Sequence, residues 1–176
     1  MGGQYSALFF KSMVLIFRIA DIFHDPGKKL TGFGIRPGDT VVDYGCGPGR
    51  HLRAAASLAG PQGRVYAADI HPLAMSAVKR LAAKAGLTNV VPAEIRAGRS
   101  AIPDRAADLV YALDMFHRVD DPVPFLAEIN RIVKPGGRLI IEDGHQSRTK
   151  TLAKLSLSPR WMVERETARD VRLRPA

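Results

Sequence analysis

Apolar runs alternate with turn-forming residues along most of this chain. Runs rich in Val, Ile, Ala and Tyr and bounded by Gly, Pro or Asp predict short buried strands. These runs cover residues 40–44, 64–69, 90–95, 107–113 and 138–143. Apolar positions at helical spacing predict helices at 50–58, 72–85 and 123–133, with Pro72 in a first turn and Gly86 as a C-cap. Strands that alternate with helices form βαβ units, so a doubly wound α/β domain with a parallel sheet is expected.

The pattern changes after residue 146. Residues 147–158 predict a helix, and 161–165 and 170–174 then alternate apolar with charged side chains. This alternation, with a short connection, predicts an antiparallel hairpin with one solvated face. The complete sheet is therefore expected to be mainly parallel and seven-stranded, with a C-terminal antiparallel hairpin.

The N-terminal segment, residues 1–34, is predicted to be a helical cap on a domain formed by 35–176. Its apolar stretch at 7–23 is interrupted by Lys11, Arg18 and Asp21, so it is too short for the ~20 residues of a membrane span. An amphipathic helix that packs on its own domain is the favoured interpretation, with peripheral membrane contact as the alternative. A chain of 176 residues is the size of one domain, and a cytoplasmic location is expected.

Composition narrows the classes of partner and site. The single cysteine, Cys46, excludes an internal disulfide and favours a reducing compartment. No metal site is predicted, because the five histidines show no metal-ligand spacing. The net charge is +9, and residues 148–176 carry eight basic and three acidic side chains, a net +5. Trp161 is the one aromatic residue among them, so no specific nucleic-acid binding is expected.

A glycine-rich loop at 45–49 lies between the first predicted strand and a helix. Glycines let a backbone approach a ligand closely, and a helix N-terminus favours an anionic group. Arg50 stands where a dinucleotide fingerprint needs glycine, and the Gly-Lys-Ser/Thr of a nucleotide P-loop is absent. A tight turn without a ligand therefore remains an alternative. Asp69 ends the second strand, where its carboxylate either accepts bonds from ribose hydroxyls or caps the next helix.

Taken in order, these segments resemble the class I S-adenosylmethionine-dependent methyltransferases. The resemblance covers residues 35–145. It rests on the motifs at 41–49, at 65–69, at 107–110 followed by 114–117, and at 126–137.

The resemblance implies roles for individual residues. Gly45, Cys46, Gly47 and Gly49 would form the loop around the methionine part of S-adenosylmethionine, with Asp43 near its ammonium group. Asp69 would hold the ribose and Ile70 would pack on the adenine. Arg99 stands where the family often has an acidic adenine contact. The alternatives are that Ser100 or a backbone carbonyl replaces that contact, that the affinity for the cofactor is low, or that the cofactor pocket has changed. Asp114 would line the pocket or contact the cofactor.

Two histidines follow strands at the same edge of the sheet as the glycine loop. His117 or His145 would serve as the base if the methyl acceptor loses a proton, and local packing is the alternative role. Residues 114–117 stand where amino-methylating nucleic-acid enzymes have an Asn-Pro-Pro-Tyr-like segment. A methyltransferase acting on a small molecule by in-line transfer is therefore predicted. A nucleic-acid methyltransferase and a catalytically silent binding protein are the alternatives.

Overall fold

A computed structural model describes Ser12 and residues 26–176. Eight strands and four α-helices lie in this part of the chain. The strands are β1 Thr40–Tyr44, β2 Arg64–Asp69, β3 Val90–Arg96, β4 Arg99–Ser100, β5 Ala107–Ala112, β6 Val133–Glu142, β7 Trp161–Glu166 and β8 Asp170–Pro175. The helices are α1 Leu52–Ala59, α2 Pro72–Ala85, α3 Pro122–Ile132 and α4 Arg148–Ser156, with 3-10 helices at Pro26–Phe33 and Phe116–Arg118.

The strands form one sheet in the order β4-β3-β2-β1-β5-β6-β8-β7. Strands β1, β2, β3, β5 and β6 are parallel, whereas β4, β7 and β8 pair antiparallel with their neighbours. This arrangement confirms the predicted mainly parallel α/β sheet with a C-terminal antiparallel hairpin. The direction in which strands are added reverses between β1 and β5, which is where open α/β sheets bind their ligands.

The strand that the sequence did not predict is β4, which is two residues long. It returns antiparallel on β3 with Arg96 opposite Arg99. The connecting residues, Ala97 and Gly98, both have positive φ, of 49° and 79°. Two such residues make the tight turn whose twist matches that of a β-hairpin. Positive φ is rare for a non-glycine residue such as Ala97, so the sequence offered no reason to expect a turn there. Apolar periodicity does not report backbone angles.

Buried residues cover both faces of the sheet. Successive side chains of a strand point to opposite faces, so Val41 and Val42 belong to different clusters. The first face holds α3 and α4 residues such as Ile129 and Leu155, and the second holds those of α1 and α2. Two core layers are the outcome expected for a sheet with helices on both sides.

The start of the described chain also packs on the core. Leu30 and Phe33 of the 3-10 helix Pro26–Phe33 are buried against the second face. The amphipathic helix predicted at 7–23 lies outside the described residues, apart from Ser12. Within the described part, no helix combines the length and apolarity that crossing a membrane requires.

Candidate functional site

A cavity of about 940 Å³ opens at the carboxyl ends of the central parallel strands. This volume is within the range of small-molecule sites. Its walls come from the segments that follow β1, β2, β5 and β6. The apolar part of the lining includes Ile70, Ile95, Leu113, Met115, Pro124 and Phe125.

The glycine loop forms one wall of the cavity and is held to the neighbouring strand. The backbone N–H groups of Gly45 and Cys46 both donate to the carbonyl oxygen of Ala68, at 2.8 and 3.0 Å. Gly45 has a φ of +83°, and a Cβ there would lie 2.9 Å from Cγ of Met115. Gly45, Cys46 and Gly47 line the cavity.

Gly49 has a different role from the other loop glycines. It is buried, and a Cβ there would lie 2.8 Å from Leu52 Cδ1 and 2.9 Å from Leu81 Cδ2. It does not belong to the cavity lining. The absence of a side chain at Gly49 therefore serves the packing of helices α1 and α2, and the geometry gives no support to the cofactor contact expected of it.

Asp69 joins the glycine loop to the start of α2. Its Oδ2 accepts a hydrogen bond from the N–H of Gly47 at 2.8 Å, and its Oδ1 accepts one from the N–H of His71 at 2.8 Å. Burial raises the pKa of this carboxyl, against the effect of those two bonds. The N-cap of α2 is His71, whose Nδ1 accepts from the N–H of Leu73 at 3.1 Å. The interpretation of Asp69 as the helix cap is therefore wrong.

Asp43 places a buried carboxyl on the cavity wall. It is 2% exposed, and its Oδ2 has no hydrogen-bond partner among the described residues. The Tyr111 hydroxyl is also buried, and it too lacks a partner within hydrogen-bond geometry in this part of the chain. Burial raises the pKa of Asp43 to about 7; the nearby Tyr111 opposes this rise, and the charge of Asp69 adds to it. A buried carboxyl oxygen without a hydrogen-bond partner is costly, so this wall suits a cationic group of a ligand.

Some of the residues that follow β2 and β3 line the cavity, and others lie in the core. Ile70, which is 39% exposed, lines the cavity, as do Ala97 and Gly98 of the β3–β4 turn. Ser100 is not part of the cavity lining. Its backbone N–H and its hydroxyl both donate to Glu128 Oε1 at 2.8 Å, in the interior. The expectation that Ser100 replaces the acidic adenine contact therefore has no support in the geometry.

Asp114, His117 and His145 come together at the ends of β5 and β6. Asp114 Oδ1 lies 3.8 Å from His117 Nδ1 and 3.5 Å from His145 Nε2. The His117 ring is mostly buried, and burial lowers its pKa. Asp114 and His145 line the cavity, and His117 lies behind them. Sequence spacing missed this cluster because 28 residues separate the two histidines along the chain.

Other residues of the site carry no recognisable sequence signal. Lys29 donates to Glu142 Oε1 at 2.7 Å, so the 3-10 helix Pro26–Phe33 is tied to the end of β6 at the cavity wall. Arg148 is bonded to both carboxyl oxygens of Asp143. Lys29 and Glu142 are 113 residues apart and meet only after the sheet has formed, so no local motif could have identified that pair. Arg148 and Asp143 are five residues apart, but this spacing is not part of any motif identified above.

The chain is similar in sequence to known methyltransferases. The model of a methyltransferase domain family matches residues 42–141. A ubiquinone/menaquinone biosynthesis C-methyltransferase of Teredinibacter turnerae is 34% identical over 122 residues, which cover 69% of this chain and 49% of that protein. A probable chloroplastic tocopherol O-methyltransferase of Oryza sativa subsp. japonica is 33% identical over 103 residues, 58% of this chain and 28% of that one.

A solved structure shares the fold along nearly the whole chain. A crystal structure of an S-adenosylmethionine-dependent methyltransferase from Aquifex aeolicus superimposes with a TM-score of 0.80 at 22% identity, covering 98% of each chain. The two curated relatives are longer, and the matched part is about half of the first and less than a third of the second. The family model covers more than half of this chain and includes the glycine loop, Asp69 and the segment after β5. The chain therefore belongs to the class I S-adenosylmethionine-dependent methyltransferase family.

Proposed function

We propose that this protein transfers a methyl group from S-adenosylmethionine to a small molecule with a substantial apolar part. The observation that carries the proposal is the buried carboxyl of Asp43, whose Oδ2 has no hydrogen-bond partner among the described residues and which lies on the cavity wall beside the glycine loop. S-adenosylmethionine, the methyl donor of the family, carries an ammonium group and a ribose. Asp43 fits the ammonium group, and Asp69 fits the ribose hydroxyls.

The cofactor supplies an electrophilic methyl group when bound. The protein has to align the acceptor with that group in a site that excludes water, since in-line displacement depends on alignment. Gly45, Cys46 and Gly47 are proposed to bind the methionine part of the cofactor, and Ile70 the adenine. Between the two histidines, His145 is the better-placed base, because it lines the cavity whereas Nε2 of His117 accepts from Arg118 Nε at 3.0 Å.

The small-molecule acceptor is supported by the lining and by the relatives. Met115, Pro124 and Phe125 give the cavity an apolar wall beside the Asp114 segment. The names of the two relatives refer to ubiquinone, menaquinone and tocopherol, which are small molecules.

The nucleic-acid alternative is weakened by what the basic residues of the C-terminal part contact. Arg148 pairs with Asp143 and Glu166, and Lys154 donates to three backbone carbonyls. Arg172 pairs with Asp170 at 3.0 Å and lies over the ring of Phe33. Strand β8 lies between β6 and β7, so Arg172 does not face an open sheet edge.

Calorimetry with S-adenosylmethionine and S-adenosylhomocysteine tests the proposal. Both ligands are expected to bind the wild-type protein, and Asp43→Asn is expected to weaken both, since both carry the ammonium group. The matched control is Asp120→Asn, which removes a charge from an exposed residue of the same cavity lining. Absence of binding at millimolar ligand would contradict the proposal.

Transfer of labelled methyl to a panel of phenols, quinols, amines and thiols then separates an active enzyme from a silent binding protein.

A further inference from the structure

We propose that Asp114, His117 and His145 form a binding site for a divalent transition-metal ion such as Zn²⁺. One carboxylate oxygen and one nitrogen from each imidazole all lie within 4.8 Å of one another. The proposal departs from the expectation that the chain has no metal site. None of the three residues belongs to the glycine loop or to the β2 end, although Asp114 and His145 line the same cavity.

A buried nitrogen without a partner is the first observation that points to a ligand. His117 Nδ1 has no hydrogen-bond partner among the described residues, and the side chain is 13% exposed. A buried polar atom left unpaired is costly, and the distance of 3.8 Å to Asp114 Oδ1 is too long for a hydrogen bond. An ion between these two atoms would satisfy both of them.

Gly144 supplies a second, independent observation. Its φ is +64°, and a Cβ at this position would lie 2.3 Å from His117 Nδ1 and 3.2 Å from Asp114 Oδ1. Any side chain here would therefore meet the same two atoms. The glycine keeps open the space in front of the proposed ligands.

The donor set selects the kind of ion. Two imidazole nitrogens and one carboxylate oxygen suit Zn²⁺ and its neighbours, whereas Mg²⁺ and Ca²⁺ prefer oxygen ligands. Ligands at zinc-bond length around a tetrahedral ion are separated by about 3.4 Å. The separations of 3.5 and 3.8 Å from Asp114 Oδ1 are close to this value. The His145 ring, which is 77% exposed, lies edge-on to the His117 ring with the two centroids 5.0 Å apart.

Arg118 competes with the ion for His117. Its Nε donates to His117 Nε2 at 3.0 Å, so Nε2 holds no proton in this arrangement. A neutral imidazole that binds a metal through Nδ1 carries its proton on Nε2. Metal binding therefore requires the Arg118–His117 hydrogen bond to break, and the arginine lowers the affinity for the ion.

An ion bound here also occupies the lone pair of His145, so it excludes the proposed role of that residue as a base.

Titration of tag-free, chelator-treated protein with Zn²⁺ or Co²⁺ tests the site, with calorimetry and the visible absorption of bound Co²⁺ as readouts. One ion per chain is expected. Asp114→Asn and His145→Ala are each expected to weaken binding at least tenfold, and Arg118→Ala to strengthen it several-fold. Both weakening variants change exposed side chains, and asparagine tolerates the positive φ of residue 114, so they should fold.

Asp120→Asn is the matched control, since it removes a carboxylate from the same loop but outside the cluster, and it should leave the affinity unchanged. The proposal is overturned if the wild-type protein binds no ion, or if Asp114→Asn and His145→Ala bind as tightly as the wild type. It is also overturned if Asp120→Asn weakens binding as much as Asp114→Asn. S-adenosylhomocysteine binding, measured separately, distinguishes these results from a failure of the proposed function.

Discussion

The carboxylate of Asp69 accepts a hydrogen bond from the backbone N–H of Gly47 at 2.8 Å, and so joins the end of β2 to the middle of the glycine loop. Its other oxygen holds the N–H of His71 at the start of α2. One side chain thus fixes two of the segments from which the proposed cofactor site is built. This arrangement explains why a carboxylate 26 residues after Asp43 belongs to the same site.

Asp69→Ala is expected to weaken S-adenosylhomocysteine binding by about 1–3 kcal/mol, the usual loss for hydrogen bonds to a charged partner. Calorimetry measures the effect. His71→Ala is the control, because it removes the N-cap of α2 at a cost of about 0.5–2 kcal/mol in stability and leaves the carboxylate in place. Unchanged affinity with a lowered melting temperature in Asp69→Ala would show that the residue is only structural.

Gly45→Ala is expected to destabilise the protein for two reasons, a steric clash and an unfavourable backbone conformation, which can be measured separately. The new Cβ would meet Met115 Cγ at 2.9 Å, and φ is +83°. Gly38→Ala isolates the backbone cost, because Gly38 has a similar φ of +92° with no atom within 4 Å of the added Cβ. The difference in unfolding free energy between the two variants should be about 1–3 kcal/mol, and Met115→Ala should reduce it. Equal losses in both glycine variants would contradict the steric part.

Gly47→Val is expected to abolish cofactor binding, because the side chain would enter the wall of the proposed site. Gly47 has a φ of +52° and lines the cavity. Calorimetry with S-adenosylhomocysteine measures the loss, and circular dichroism checks that the domain remains folded. Retained binding would identify the loop as a turn without a ligand.

The raised pKa of Asp43 predicts a dependence on pH with a definite sign. Burial raises this pKa from 3.8 to about 7, so the neutral form is favoured in the folded protein. Folding therefore gains stability from the neutral Asp43 carboxyl below pH 3.8, and this stabilisation is lost as the pH rises toward 7. An ammonium ligand requires the charged form, so S-adenosylhomocysteine affinity should increase between pH 6 and pH 8 with release of a proton.

Calorimetry in buffers of different ionisation enthalpy counts the released proton. Asp43→Asn should abolish both the release and the added pH dependence, whereas Asp120→Asn should preserve them. A proton count near zero at pH 6.5 in the wild-type protein would contradict the role assigned to Asp43.

Arg131→Met is expected to cost about 3–5 kcal/mol of unfolding free energy, because it leaves a buried charge without its partner. Arg131 donates to both oxygens of Glu128, whose side chain is 6% exposed. Chemical denaturation measures the loss. The double variant Arg131→Met, Glu128→Gln should recover part of it, and no recovery would contradict the charge explanation.

The basic C-terminal part is expected to bind nucleic acid only weakly and without sequence preference, with loss of binding between low and physiological salt. Several of its cations are already paired with acidic residues, as Arg148 and Arg172 are. Fluorescence anisotropy with labelled DNA and RNA measures the salt dependence. Tight binding that persists at ~200 mM salt would contradict the small-molecule proposal and favour the nucleic-acid alternative.

The sequence by itself determined the order of strands and helices. Periodicity is a local property, and each strand from Thr40–Tyr44 onward carries its own apolar run between turn residues. The glycine loop and Asp69 were also visible, because their spacing follows from the length of one βα unit. The short strand β4 was not, since it depends on the positive φ of Ala97.

Only the tertiary structure decided which side chains meet. Ser100 turns into the core because Glu128, 28 residues away, accepts both of its hydrogen bonds there. Gly49 packs helices α1 and α2 together, although it belongs to the loop motif. Asp114, His117 and His145 converge because β5 and β6 are parallel neighbours whose carboxyl ends share one edge. Such contacts join residues that are distant along the chain, and a one-dimensional pattern does not contain the sheet geometry that brings them together.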